Sequence, residues 1–167
     1  MPQLPIDGHI LLVTAGKIGA AYALSLPTGW WSEKQGHAVG IRTFPIVAMA
    51  SCGYLLTLSG IGGSDGLSAN SRVLQGLVAG IGFVGGGAIV KEGVSVRGTA
   101  TAASIWNMGA IGAAIAFGRY EVAIVLALLN LLTLEGLVPL KKRLDREEEK
   151  KEEAEKKEDG LNAPRHD

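Results

Sequence analysis

The sequence predicts an all-α fold, an integral membrane bundle of about five transmembrane helices with a charged C-terminal tail. Three observations carry this reading: five apolar runs at residues 10–26, 44–60, 73–90, 99–117 and 121–140, a glycine-dense uncharged stretch in the third of them, and a segregation of charge into KKRLDREEEKKEEAEKKED at residues 141–159. About 18–20 apolar or small residues is the length at which a helix crosses a hydrocarbon core about 30 Å thick. The net charge of zero conceals the split between the two parts, and 47% hydrophobic residues with a mean hydropathy of +0.26 is high for a 167-residue chain carrying such a tail. Residues 1–140 are therefore the transmembrane domain and 141–167 a charged cytoplasmic tail. No basic surface for nucleic acid is implied.

The first run, residues 10–26, is apolar except for Lys17, whose charge needs a partner or a route to the interface at that depth. Ala21-Tyr22-Ala23 imitates a signal-peptidase site, but Asp7 and His9 stand where a signal peptide has basic residues, so a retained membrane helix is expected. Pro27-Thr28-Gly29 is expected to end that helix. Trp30 and Trp31 then sit in the loop at the membrane interface, which suits their amphipathic rings.

In the second run, Ser51, Thr57 and Ser59 are expected to bond back to carbonyls of their own helix. The lone Cys52 lies in this run, without partners for a disulfide or a metal. Residues 62–71, rich in Gly, Ser, Asp and Asn, have loop composition.

The third run holds Gly76 and Gly80 four apart, Gly82 and Gly86 at the same spacing on another face, and Gly85 and Gly87 beside them. Small residues at this spacing let helix backbones approach closely, so these six glycines are expected to pack the helix centrally against more than one neighbour. Residues 80–85 also spell GxGxxG. That fingerprint needs a preceding strand, a helix opening at the glycines and an acid about 20 residues on; here hydropathy is uniformly helical and position 105 is Ile, so no dinucleotide site is read.

Lys91-Glu92-Gly93 and Val96-Arg97-Gly98 form a turn into the fourth run, where Thr99 is expected to cap the helix. Ala110 and Ala114 repeat the small-residue spacing toward the third helix. Asn107, inside the run, requires a hydrogen-bond partner from a neighbouring helix. Glu121 and Glu135 lie near the two ends of the fifth run, where water reaches them. The tail pairs Glu147 with Lys151 and Glu152 with Lys156 at helical spacing, with too few apolar residues for a coiled coil.

Five spans put the chain ends on opposite sides. Lys34, Arg42, Lys91 and Arg97 join the Lys141 cluster on one side against Arg72 and Arg119 on the other, so the positive-inside bias puts the C-terminus in the cytoplasm and the N-terminus outside. The Arg42 and Arg97 motifs then share a face. Arg42, Glu92 and Arg97 are the candidate polar cluster, which either locks the loops or receives a partner. No enzyme template fits, and no cofactor or metal site is expected.

The stretch GIGFVGGGAIVKEGVSVRGTATAASIW resembles the signature of the MgtC/SapB family of bacterial membrane proteins, and Gly40-Ile41-Arg42-Thr43 resembles the family's Gly-Leu-Arg-Thr before its second helix. The resemblance covers most of the membrane part and marks Arg42, Thr43, Glu92, Arg97, Gly98 and Asn107 as candidate functional or partner-binding residues. The family usually closes its first helix with Gly-Leu-x-Arg-Glu or Glu-Arg-Glu; counted from Gly19, the acidic and basic positions fall on Ser25, Leu26 and Pro27. The family's aspartate before Arg72 is replaced by Ala69. The resemblance implies a regulatory protein of the bacterial inner membrane linked to growth at low magnesium or to virulence. It would act on another membrane protein such as the F-type ATP synthase or a small membrane peptide, with homo-oligomerisation a further partnership. Cation transport is the alternative.

Overall fold

The structure is a computed structural model that describes residues 7–36, 39–58, 63–93 and 95–137, with the side chains of 63–70, 92 and 95 left aside. The charged tail, His37, Ser59 and the end of the fifth run lie outside the described residues. Helices α1 (Gly8–Lys34), α2 (Thr43–Leu56) and α3 (Gly63–Gly86) are followed by a hairpin of β1 (Val90–Glu92) and β2 (Ser95–Arg97), then α4 (Thr99–Ala116) and α5 (Tyr120–Gly136). The fold class is thus helical as expected, with one short antiparallel hairpin added. Two compact units divide the chain at Met1–Leu131 and Leu132–Asp167, so the last turn of α5 falls in the second. Among the described residues, α1 is the one helix long and apolar enough to cross a bilayer, while α2 is apolar but shorter.

Helix α1 starts at Asp7, whose side chain accepts the His9 N–H at 2.9 Å. It does not end at Pro27. The buried residues Ala21, Ser25, Thr28, Gly29 and Ser32 form one continuous stripe across the proline, which itself points outward, so one face stays packed over the missing backbone bond. Trp30 and Trp31 consequently belong to the helix, and Lys34 lies over the Trp30 ring at 5.2 Å from its centroid. The expected loop at 62–71 is also corrected. From Gly63 the backbone is already helical, because a membrane-end segment can complete a helical turn despite residues that favour loops.

The core lies between α2 and α4. Phe44, Ala48, Cys52 and Leu55 recur at helical spacing on the buried side of α2, facing Ile105, Met108, Ile111 and Ile115 of α4. Ser51 Oγ and Thr57 Oγ1 donate to Val47 and Tyr54 carbonyls of their own helix. The tightest approach is at Gly112, where an added Cβ would run into the Ala48 carbonyl oxygen; Gly109 likewise accommodates Ile81 of α3. These two glycines, rather than Ala110 and Ala114, let α4 sit against its neighbours.

The central role expected for the glycine-rich helix therefore passes to α2 and α4. Within the chain, Gly85 alone of the six glycines abuts another helix, with the Ala102 carbonyl 3.1 Å from a Cβ built there; Gly87 meets only its own preceding turn. At Gly76, Gly80, Gly82 and Gly86 a Cβ would meet nothing within 4 Å. Large apolar residues such as Leu12, Tyr54, Phe83, Trp106 and Leu128 are exposed all around the first unit.

Candidate functional site

Contacts between helices fix which loops share an end of the bundle. Gly85 faces Ala102, Gly29 faces Ile41, and Lys17 Nζ, in the first half of α1, donates to the carbonyl of Ala116 at the end of α4. The α1–α2 connection, the β-hairpin and the start of α4 therefore lie at one end. This loop end holds Arg42, Thr43, Glu92, Arg97 and Gly98.

Arg42 is the N-cap position of α2 and Thr43 its first residue, while Arg97 faces Val90 in the hairpin register and Glu92 is opposite Ser95. Both arginines are exposed, and among the described residues neither has an ion-pair partner. Gly98 occupies the N-cap of α4 with φ +86° and carries no side-chain cap. Its backbone carbonyl accepts the Ala102 N–H at 2.8 Å, and a Cβ would run into the Ala88 carbonyl. Thr99, expected as the cap, is instead the first helical residue. The left-handed turn is needed because the chain must reverse from β2 into α4 directly beside the end of α3.

Asn107 lies farther into the bundle, where its Nδ2 donates to the Leu126 carbonyl of α5 at 3.3 Å. Ser104 Oγ donates to Asn130 Oδ1 at 3.2 Å beside it, and Asn130 Nδ2 is buried with no partner. Polar groups thus join α4 to α5, and they stand apart from the arginines. The site residues accordingly separate into an exposed cationic loop end and an internal amide pair.

A residue missed by the sequence reading belongs to the loop end. The Glu33 carboxylate accepts the Ile41 N–H at 3.2 Å, and Gly40 makes room for it, since a Cβ there would collide with the carboxylate. Ser32 Oγ donates to the Val39 carbonyl at 2.6 Å, closing the same connection. With α1 continuing past Pro27, Gly29-Trp30-Trp31-Ser32-Glu33 retains the first and last residues of Gly-Leu-x-Arg-Glu. Counted from Gly29 instead of Gly19, the acidic end of the motif falls on Glu33, in the part of α1 that lies beyond Pro27. The four-residue spacing from Gly29 to Glu33 was the available signal.

Between α2 and α3 the bundle leaves a groove of about 820 Å³, running from Thr43 along Val47 and Tyr54 on one wall and from Arg72 past Gly76 and Gly80 on the other.

A long apolar first helix and large apolar side chains exposed on the bundle's exterior mark a helical membrane protein. The chain belongs to the MgtC family, which matches residues 18–143. It is 34% identical to protein SrpB of Synechococcus elongatus over 81% of the chain and 75% of that protein. It is 34% identical to YhiD of Escherichia coli K12, a protein whose name marks it as a candidate magnesium transporter, over 70% of the chain and 56% of YhiD. It is 35% identical to protein MgtC of Brucella abortus over 59% of the chain and 40% of that protein. The chain thus spans about half or less of the lengths of YhiD and MgtC. No solved structure matches.

Proposed function

We propose that this chain is a multi-pass protein of the bacterial inner membrane that serves growth at low magnesium by binding another membrane protein at its loop end. The carrying observation is the pair of exposed arginines, Arg42 and Arg97, at one end of the bundle without ion-pair partners among the described residues. Guanidinium groups held on a helix start and a strand offer planar, charge-assisted hydrogen bonds to a partner's carboxylates. Glu33 and Gly98 support this reading, because each fixes the loop that carries one of the arginines. The five helices act as spans, with the N-terminus outside and the loop end and C-terminus in the cytoplasm, as the distribution of Lys and Arg favours. Similarity to MgtC and YhiD supports the link to magnesium.

Charge reversal tests it. Arg97→Glu abolishes growth at low magnesium while the protein stays at wild-type abundance in the membrane, and growth at wild-type level would reject the proposal. The name of YhiD favours a second reading, in which the bundle itself carries magnesium.

A further inference from the structure

We propose that the groove between α2 and α3 is a binding site for one anionic phospholipid, with the phosphate at Arg72 and an acyl chain lying over Gly76 and Gly80. This rests on placing the helices in a bilayer; the head-group contact, Arg72, stands at the end of the groove opposite Thr43 and the loop end.

Charge supplies the first argument. Arg72 is the one ionised residue in the groove lining, it stands at one end, and the walls beyond it are mostly apolar, with Tyr54, Ser51 and Thr43 the residues that carry hydroxyls. Among the described residues it has no carboxylate partner. A guanidinium at the mouth of a hydrocarbon slot complements an amphiphile with an anionic head, and Arg binds phosphate in bidentate fashion.

Length supplies the second. From Arg72 to Val84 the α3 wall covers 12 helical steps, about 18 Å at 1.5 Å per residue. One leaflet of hydrocarbon is about 15 Å deep, half of a core of about 30 Å. The groove is slightly longer than that and ends at Thr43, the first residue of α2, so an acyl chain anchored at Arg72 lies along α2 from Tyr54 toward the loop end.

Space supplies the third. Gly76 and Gly80 line the groove, and at both positions a Cβ would meet nothing within 4 Å. The missing side chains deepen the slot without serving any contact inside the chain. Gly82, equally open, is not among the lining residues and is the natural control.

Native mass spectrometry of the full chain in detergent tests the proposal, with phosphatidylglycerol and phosphatidylcholine of the same acyl composition supplied in equal amounts. Wild type is expected to retain phosphatidylglycerol about tenfold over phosphatidylcholine. Arg72→Gln is expected to remove that preference, and Gly80→Leu to lose retention of both lipids with the helical circular dichroism unchanged. Gly82→Leu is expected to behave as wild type. Equal retention of the two lipids by wild type, retention of neither, or an unchanged preference in Arg72→Gln would overturn the site. So would complete disulfide cross-linking between copies of Gly80→Cys in native membranes, which would assign the groove to a second copy.

Discussion

Lys17 Nζ donates a 2.9 Å hydrogen bond to the carbonyl oxygen of Ala116, joining the first helix to the last turn of the fourth. The end of α4 explains why that oxygen is available. Gly118, at φ +73°, donates its N–H to the Ile115 carbonyl, Arg119 donates to Ala114 and Phe117 to Ala113, which is the Schellman arrangement with one extra carbonyl satisfied. Ala116 is the next carbonyl in line, and the ammonium from α1 meets it at the negative end of the helix dipole. A lysine that looked anomalous in an apolar run is thus a cap for a neighbouring helix.

Lys17→Met is expected to lower thermal stability in detergent by about 1 kcal/mol, the scale of one charge-assisted bond at a helix end, with Lys17→Arg retaining part of it. Differential scanning fluorimetry on the pure protein reads this. An unchanged midpoint for Lys17→Met would show that the bond contributes nothing.

At Gly98 the backbone requires a left-handed residue, and the Ala88 carbonyl occupies the space of a Cβ. Gly98→Ala is expected to cost about 2 kcal/mol and to reduce the folded yield, since the conformational penalty and the steric one act together. Gly76→Ala, with open space at its Cβ, serves as the neutral comparison. Equal folded yields for the two variants would contradict the hairpin geometry.

Gly112 and Gly82 separate packing glycines from open ones. Gly112→Leu drives a side chain into the α2 backbone at Ala48 and is expected to cost about 3 kcal/mol or prevent assembly, whereas Gly82→Leu leaves the midpoint within experimental error. Size-exclusion profiles and melting curves of both variants check this. A Gly82→Leu protein as damaged as Gly112→Leu would mean that α3 is enclosed on the face described here as open.

The amide junction gives a smaller effect. Asn107→Leu removes the bond to the Leu126 carbonyl and is expected to destabilise by about 0.6 kcal/mol, the average for hydrogen bonds between membrane helices. Chemical unfolding in mixed micelles resolves a change of that size when replicates are averaged, and a stabilised variant would contradict the assignment.

The presence of five helices, the partner demanded by Asn107 and the back-bonding of Ser51 and Thr57 were legible because each follows from local chemistry: run length, or a polar group that must be satisfied. The inward faces were not. In α2, apolar residues surround the helix, so Ile46 and Tyr54, which are exposed, read like Phe44 and Leu55, which are buried. Periodic hydrophobicity identifies an inward face only when water lies on the other side. Glycine spacing had the same ambiguity: Gly80 and Gly112 are both competent to bring backbones together, and only the tertiary arrangement uses Gly112 within the chain. Pro27 misplaced the end of α1 because a proline's local cost was weighed without the buried stripe that spans it, and Glu33 was lost with it.

Reconstitution in liposomes loaded with a magnesium-sensitive dye separates binding from transport most directly. A protein that acts by engaging another membrane protein through Arg42 and Arg97 leaves the dye at the level of protein-free liposomes under an imposed magnesium gradient. Magnesium entry above that level, proportional to the amount of protein inserted, would contradict the account and make the bundle a transporter.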